Sequence, residues 1–367
     1  MPIYMDRHDI PGVTINDAAA AHLQDLDIQC EYNCKAMTYW VDEERGNAFC
    51  LIDAPNKEAV VELHKKAHGL IPHEIIEVNS NLVKSFLGRI NDVEDNIDSK
   101  TNLVTDSAFR ILMVIETSKY IDRIEDNQFD LFYQKFYNST NKLIEKFNGT
   151  VVLLKSNSYL ISFNSVTNAI FCALKLQANI KYITPNFNQS YRRLKIGLSS
   201  GIPVTEKENL FEEAINLATY FCEVVDGQIV ISNEVKRLYE NVNHNSFINK
   251  EHIRTLSPNE EQFLKKLMLF VENNWDNPAF NVSEFSAKIG LSKSQLNRKL
   301  KALTNKTPNN FIREFRLQRA LKLLYYQKGN ISEIAFASGF NSPAYFSKCF
   351  FETYGVLPSK YIQQHIN

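Results

Sequence analysis

At 367 residues, 44% hydrophobic and 23% charged, the chain has the composition of a globular protein of two to four domains, not of a disordered or fibrous one. Six scattered cysteines without a Cys-x-x-Cys pair exclude a disulfide scaffold and read as reduced thiols, and with no signal peptide or apolar run of transmembrane length they point to the cytoplasm. The formal charge of −1 hides a division: residues from 259 onward carry 15 Lys and Arg against 8 Asp and Glu, the remainder 26 against 34, the balance of a basic nucleic-acid-binding module on an acidic body.

Residues 1 to about 90 predict strand, helix, strand, strand, helix, strand. Ile3 to His8 reads as a strand closed by Pro11-Gly12, and Thr14 caps a helix from Ile15 to about Tyr32. Lys35 to Asp42 and Ala48 to Asp53 form a hairpin around Glu44-Arg45-Gly46-Asn47. A helix runs from Asn56 to His68, and Glu74 to Val78 is the last strand. That order is the split βαβ, or ferredoxin-like, α+β pattern. Five of the eight histidines lie here: His8, His22, His64, His68 and His73. His64 and His68 stand one helical turn apart on a single face, which suits one metal ion, and Tyr4, Asp6 and His8 alternate onto one face of the first strand. Imidazole nitrogen with carboxylate oxygen suits nickel, zinc or copper.

The same stretch resembles a small ferredoxin-like family of nickel-binding proteins. The motifs that carry the resemblance are Met1-Pro-Ile-Tyr-Met-Asp-Arg-His, Pro11-Gly-Val-Thr, Thr38-Tyr-Trp-Val-Asp-Glu, Ala48-Phe-Cys-Leu-Ile-Asp-Ala-Pro, His64-Lys-Lys-Ala-His-Gly-Leu and Ile75-Ile-Glu-Val. It implies a dimeric α/β barrel with a site for nickel or another divalent transition metal. Its candidate ligands are His8, His22, His64 and His68, supported by Asp6 and Asp25, with no indication of which of them share an ion. Such barrels also host small oxygenases and isomerases, so an enzyme is the alternative for this domain.

Asn91 to Ser107 is acidic and polar and reads as a linker. Residues 108 to 240 again mix strands (Phe109 to Ile115, Val151 to Leu154, Tyr159 to Phe163, Leu194 to Ser200, Gln228 to Ser232) with helices near 127–147, 165–183 and 210–223. Phe109-Arg-Ile-Leu-Met-Val-Ile-Glu, the hairpin from Val151 to Phe163, Lys195-Ile-Gly-Leu-Ser-Ser-Gly-Ile-Pro-Val and Gly227-Gln-Ile-Val-Ile-Ser resemble the class III nucleotidyl cyclase domain. Cyclase chemistry needs two carboxylates to hold two metal ions, and an Asn and an Arg for the developing charge. At the matching positions this chain has Glu116, Asn157, Asn216 and Tyr220. One carboxylate and the Arg are missing, and an amide cannot supply the charge a divalent ion prefers. The resemblance therefore implies a degenerate domain without cyclase activity, kept as a dimerisation or ligand-binding fold.

Asn241 to Pro258 reads as a second polar linker, and 259–367 as all helix. Two helix-turn-helix units stand in tandem, Asn281-Val-Ser-Glu-Phe-Ser-Ala-Lys-Ile-Gly-Leu-Ser-Lys-Ser and Asn330-Ile-Ser-Glu-Ile-Ala-Phe-Ala-Ser-Gly-Phe-Asn-Ser-Pro. Each has a Gly at its turn, Gly290 and Gly339, and a second helix of the kind that lies in the DNA major groove. Lys293, Asn297 and Lys301 share one face of the first recognition helix, with Ser294 and Arg298 beside them, while Leu296, Leu300 and Leu303 hold the other. Arg and Lys read guanine and Asn reads adenine. Lys306 and Arg316 add positive charge; Asn341, Ser342, Tyr345 and Lys348 are the outward residues of the second unit, which carries less charge and suits phosphate contact. Arg316-Leu-Gln-Arg-Ala-Leu-Lys-Leu-Leu, Ile331-Ser-Glu-Ile-Ala-Phe-Ala-Ser-Gly-Phe and Tyr354-Gly-Val-Leu-Pro-Ser-Lys-Tyr resemble the AraC-type regulators, which implies two recognition helices in successive major grooves joined by a long helix near 310–325.

The expectation for the whole chain is multi-domain: a ferredoxin-like sensor over 1–90, a linker over 91–107, a degenerate cyclase-like α+β domain over 108–240, a linker over 241–258 and an all-α DNA reader over 259–367. Its partners are double-stranded DNA, a second copy of itself, and a metal ion or small-molecule effector, with no membrane. It reads as a regulator and not an enzyme. The alternatives are a nucleotide-sensing regulator and a small barrel enzyme tethered to DNA.

Overall fold

The computed structural model describes residues 1–92, 106–117, 126–155, 158–183, 194–244, 248 and 250–363, with only the backbone of 126–133, 181 and 183. The first domain comprises β1 (Ile3–Asp9), α1 (Ile15–Ile28), β2 (Lys35–Asp42), β3 (Asn47–Asp53), α2 (Lys57–Ala67), β4 (Glu74–Val78) and α3 (Ser80–Leu87). Its antiparallel sheet runs β2-β3-β1-β4, which is the predicted ferredoxin-like α+β arrangement. Thr14 and Asp17 cap α1 reciprocally, and the Asn56 side chain accepts from Ala59 N to start α2. α1 is shorter than the predicted span to Tyr32: residues 29–32 tighten into a 3-10 turn that ends on Asn33 at φ 53°.

Strand alternation gives the sheet two apolar faces. Tyr4, Ile52 and Ala54 pack with Val60 and Leu63 of α2. Met5, Trp40, Phe49, Leu51 and Ile76 point the other way and share one core with Val83, Phe86 and Leu87 of α3 and with Leu112, Val114, Leu160 and Phe211 farther along the chain. Polar contacts lock the same junction: Arg110 Nε donates to Phe86 O at 2.9 Å, Ser162 Oγ to Phe86 O at 3.1 Å, and an Arg7 guanidinium N–H to Val204 O at 3.0 Å. This second face of the sheet is therefore covered from within the same chain.

The second domain comprises β5 (Arg110–Glu116), α4 (Asp126–Lys146), β6 (Gly149–Lys155), β7 (Ser158–Phe163), α5 (Val166–Ile183), β8 (Lys195–Gly201), α6 (Glu212–Val224), β9 (Ile229–Ile231), α7 (Asn233–Val242) and β10 (Ile253–Thr255). Its sheet runs β10-β9-β8-β5-β7-β6, with β8, β9 and β10 mutually parallel and β5 antiparallel to β7 and β8. α6 lies so close to β8 that a Cβ on Gly197 would stand 2.1 Å from Ala218 O. The predicted linker over 241–258 is not one: Ile253–Thr255 add a sixth strand, and α7, absent from the sequence reading, occupies 233–242.

The C-terminal helices are α8 (Pro258–Glu272), α9 (Val282–Ile289), α10 (Lys293–Thr304), α11 (Pro308–Tyr325), α12 (Ile331–Ala337), α13 (Pro343–Tyr354) and α14 (Pro358–Gln363). Gly290 ends α9 at φ 76° and Gly339 sits between α12 and α13 at φ 74°, a left-handed conformation that a Cβ disfavours. Reciprocal capping boxes start α10 (Ser292 and Gln295) and α12 (Asn330 and Glu333). The first unit is not separate from the second domain: Leu217, Phe221, Val224 and Leu256 lie in one apolar cluster with Leu264, Leu267, Leu296 and Leu300.

Candidate functional site

Asp6 and His8 project from β1, Cys50 from the neighbouring β3, His64 from α2, His68 from the cap that ends α2, and Asp25 from α1, all toward the helix-covered side of the first sheet. The ligand atoms of Asp6, His8, Cys50 and His64 lie within 4.8 Å of one another, as do those of Asp25, His64 and His68. His64 Nε2 stands 2.8 Å from Asp6 Oδ2, and Nδ1 stands 3.1 Å from Asp25 Oδ1 and 3.0 Å from His68 Nε2. His8 Nε2 is 3.4 Å from Asp6 Oδ1, and neither His8 ring nitrogen has a hydrogen-bond partner although the residue is only 3% exposed. A cavity of about 160 Å³ opens above His8, Cys50 and His68, walled by Ile10, Val13, Tyr39 and Leu70.

Burial alone would neutralise these groups, and the charges of the cluster oppose it. Burial raises the Asp6 carboxyl, but the adjoining His64 and His8 rings hold it far below the usual carboxylate range. Burial likewise disfavours the His64 imidazolium, yet Asp6 and Asp25 push it up to about 10. Burial, then the Asp6 and Asp25 carboxylates, push the Cys50 thiol well above its ordinary value. The cluster is two carboxylates around one shared imidazolium, with a thiol and two further imidazoles beside it.

Of the four predicted histidine ligands, three converge and one stands apart. His22 Nε2 pairs with Asp92 Oδ2 at 2.9 Å and its ring packs on Tyr39. His73 accepts from Asp9 N and is also outside the cluster. Asp92, read as the start of an acidic linker, is folded back by this pair. Cys50 was missed as a donor. The period-two pattern Ala48, Cys50, Ile52 on a strand antiparallel to Tyr4, Asp6, His8 is the signal that could have found it.

In the tail, Lys293, Ser294, Asn297, Arg298 and Lys301 are all exposed on α10, while Leu296, Leu300 and Leu303 are buried. On the second unit Asn341, Tyr345 and Lys348 are exposed, and the Ser342 hydroxyl caps α13 by accepting from Tyr345 N. Two predicted contacts are engaged elsewhere. Arg316 donates to Trp275 O and Asn277 O, both at 2.7 Å, and Lys306 pairs with Glu314 at 2.6 Å. The C-terminal end of α10 is fastened to the second domain: Arg254 of β10 donates to Leu303 O (3.0 Å) and Ala302 O (2.7 Å), and Asp226 N donates to Leu303 O at 3.0 Å.

The cyclase-matching positions do not form a metal site among the described residues. Glu116 ends β5, Asn216 is exposed on α6, and the Tyr220 hydroxyl donates to Glu272 of α8 at 3.1 Å. Asn157 lies outside the described residues. Burial, and then Glu223, push the Glu116 carboxyl up to about 7 against the pull of Lys322, Arg319 and Lys195.

Residues 285–364 match the helix-turn-helix domain family, and residues 4–78 match the family of nickel responsive proteins similar to SCO4226. The chain therefore carries an AraC-type helix-turn-helix domain behind a nickel-responsive-type α+β domain. Among curated relatives it is 48% identical over 119 residues to histidine kinase P4 of Formosa agariphila, covering 31% of this chain and 9% of that protein. It is 34% identical over 100 residues to the transcriptional activator RhaS of Mannheimia succiniciproducens, covering 27% and 37%. SCO4226 of Streptomyces coelicolor, a solved structure, is 34% identical over 21% of this chain and 94% of its own, with a TM-score of 0.20. The chain thus spans well under half of the two curated relatives. No described helix is long and apolar enough to cross a membrane.

The donor set fits a divalent transition metal. Nitrogen, oxygen and sulfur donors of borderline softness converge, and the two orphaned His8 nitrogens are buried beside them.

Proposed function

We propose that this chain is an AraC-type transcription regulator whose grip on double-stranded DNA is set by a divalent transition metal, nickel included, held in the first domain. The observation that carries the reading is mechanical continuity: recognition helix α10 is fastened through Arg254 and Asp226 to the domain whose other side shares a core with the metal-cluster sheet. Asp6, His8, Cys50, His64, His68 and Asp25 would hold the metal. When bound, it supplies fixed positive charge in the place that the His64 imidazolium now holds. β1 carries the signal outward, because Asp6 and His8 alternate with Met5, which packs in the shared core, and Arg7, which bonds Val204 O. A ligand that favours one arrangement of this strand shifts the population of DNA-competent chains by its differential affinity.

At the DNA end, Lys293, Asn297, Arg298 and Lys301 of α10 read base edges, and the less charged α13 with Asn341, Tyr345 and Lys348 holds the backbone. Two tandem units on one chain suffice for two successive major grooves. The middle domain is a non-catalytic, cyclase-like connector in this reading, supported by Tyr220 where that chemistry needs an Arg and by the engagement of its hydroxyl with Glu272. The test is selection of duplexes from a random pool by the full chain, followed by titration of Arg298→Ala. The wild type enriches a defined sequence, and the variant loses about 1–3 kcal/mol on that sequence with little change on random DNA. Enrichment of nothing above random duplex contradicts the proposal.

A further inference from the structure

The cavity in the first domain is larger and more apolar than a metal ion needs. Its volume is about 160 Å³, close to the roughly 150 Å³ of an engineered apolar cavity that takes up benzene. It therefore has room for one six-membered ring. Ile10, Val13, Ala18, Ala21, Tyr39 and Leu70 make most of the wall. Water filling that space meets carbon on most sides and gains by leaving for the bulk. Leu70 is exposed at the loop after α2, which gives a ligand a way in.

The polar groups on the lining select the ligand's head. His8 is 3% exposed, and neither ring nitrogen has a hydrogen-bond partner. A neutral imidazole offers one N–H and one acceptor nitrogen, and a hydroxyl, which both donates and accepts, can satisfy either. A metal ion in the cluster takes one of the two nitrogens and leaves the other to donate to the hydroxyl oxygen. The described lining includes Asp17 and neither Lys nor Arg, so a carboxylate or phosphate finds a like charge and no counter-charge. An ammonium finds only Asp17, which is solvent-exposed and already accepts from Thr14 N and Thr14 Oγ1. The ring of buried Tyr39 on the wall favours a planar aromatic body.

We propose that this cavity is a binding site for one uncharged, phenol-sized aromatic molecule, its ring against Tyr39, Val13 and Leu70 and its hydroxyl on His8. The site is distinct from the metal reading above and stands with the cluster beneath it empty or filled. A ring in the cavity touches β1, β2, β3, α1 and the loop after α2 together, because His8, Tyr39, Cys50, Ala18 and Leu70 come from those five segments.

The test titrates metal-stripped full-length chain with phenol by calorimetry, with toluene, benzoate and benzylamine as comparisons. One phenol per chain is expected, with no binding of benzoate or benzylamine. Ala21→Leu fills the cavity from α1 without touching a histidine and abolishes phenol binding while the thermal midpoint holds. His8→Leu lowers the ratio of phenol to toluene affinity by roughly 3- to 10-fold, the worth of one hydrogen bond. The wild-type comparison of phenol with the two charged probes needs no variant to fold. No saturable phenol binding, benzoate or benzylamine bound as well as phenol, phenol binding unchanged in Ala21→Leu, or an unchanged ratio in a folded His8→Leu overturns the proposal. Because no metal is present, none of these results bears on the metal-responsive reading.

Discussion

Arg316 and Arg298 are equally basic in the sequence, and the fold gives them different work. Arg316 reaches back along α11 to the carbonyls of Trp275 and Asn277, and its guanidinium nitrogen is 2.9 Å from where a Cβ on Gly339 would stand. It holds the α8–α9 connection against the turn of the second unit. Arg316→Ala therefore lowers the stability of the tail by about 1–3 kcal/mol, read as a drop in its thermal midpoint, because the carbonyls are left without a donor. Arg298→Ala leaves that midpoint unchanged and weakens DNA binding. Spacing alone could place Arg298 on an outward face, since Leu296, Leu300 and Leu303 fix which side of α10 is buried. It could not reveal that a long side chain one helix later turns inward. For the same reason His64 and His68 are legible as a pair, whereas Cys50 enters the cluster through strand register, and His22 leaves it for Asp92.

Elements differ in how plainly local sequence specifies them. The capping boxes at Ser292 and Asn330 and the turn glycines mark both helix-turn-helix units, and the β1–β4 order follows from alternation and turn residues. α3, α7 and β10 escaped: α3 has eight residues and β10 three, too few for a period to show, and β10 is defined only by pairing with β9. Yet β10 carries Arg254, the clasp on α10. Arg254→Ala keeps both domains folded and uncouples them, so the effect of metal on DNA affinity shrinks while metal affinity itself is unchanged; paired calorimetric and anisotropy titrations read the two separately. Close packing is tested at Gly197, where alanine drives a methyl group into Ala218 O. The expected loss is about 1–3 kcal/mol in chemical denaturation of the full chain.

At the scale of the molecule, three sequence domains are joined by two shared cores. Charges seal the second junction: Glu223 of α6 faces Arg319 at 3.4 Å and Lys322 at 3.7 Å on α11, and Glu116 lies beneath them. Because the folded state raises Glu116 from 4.5 to about 7, it holds a proton that the unfolded chain releases between those values. The stabilisation is fully present below about 4.5 and is lost as pH rises through about 7. Glu116→Gln should therefore match the wild type near the acid end and exceed its stability in mild alkali by on the order of 2 kcal/mol, seen by denaturation across pH.

In the proposed regulator, metal in the first domain changes how the tail holds DNA. The measurement that meets it most directly is fluorescence anisotropy of the full chain on its selected duplex, with and without nickel(II), for the wild type and for the double variant His8→Ala/His68→Ala. Nickel is expected to shift the wild-type affinity by roughly 5- to 150-fold, a coupling of about 1–3 kcal/mol, and to leave the variant unmoved. Equal affinity with and without metal in the wild type, at nickel concentrations that saturate the site, contradicts it.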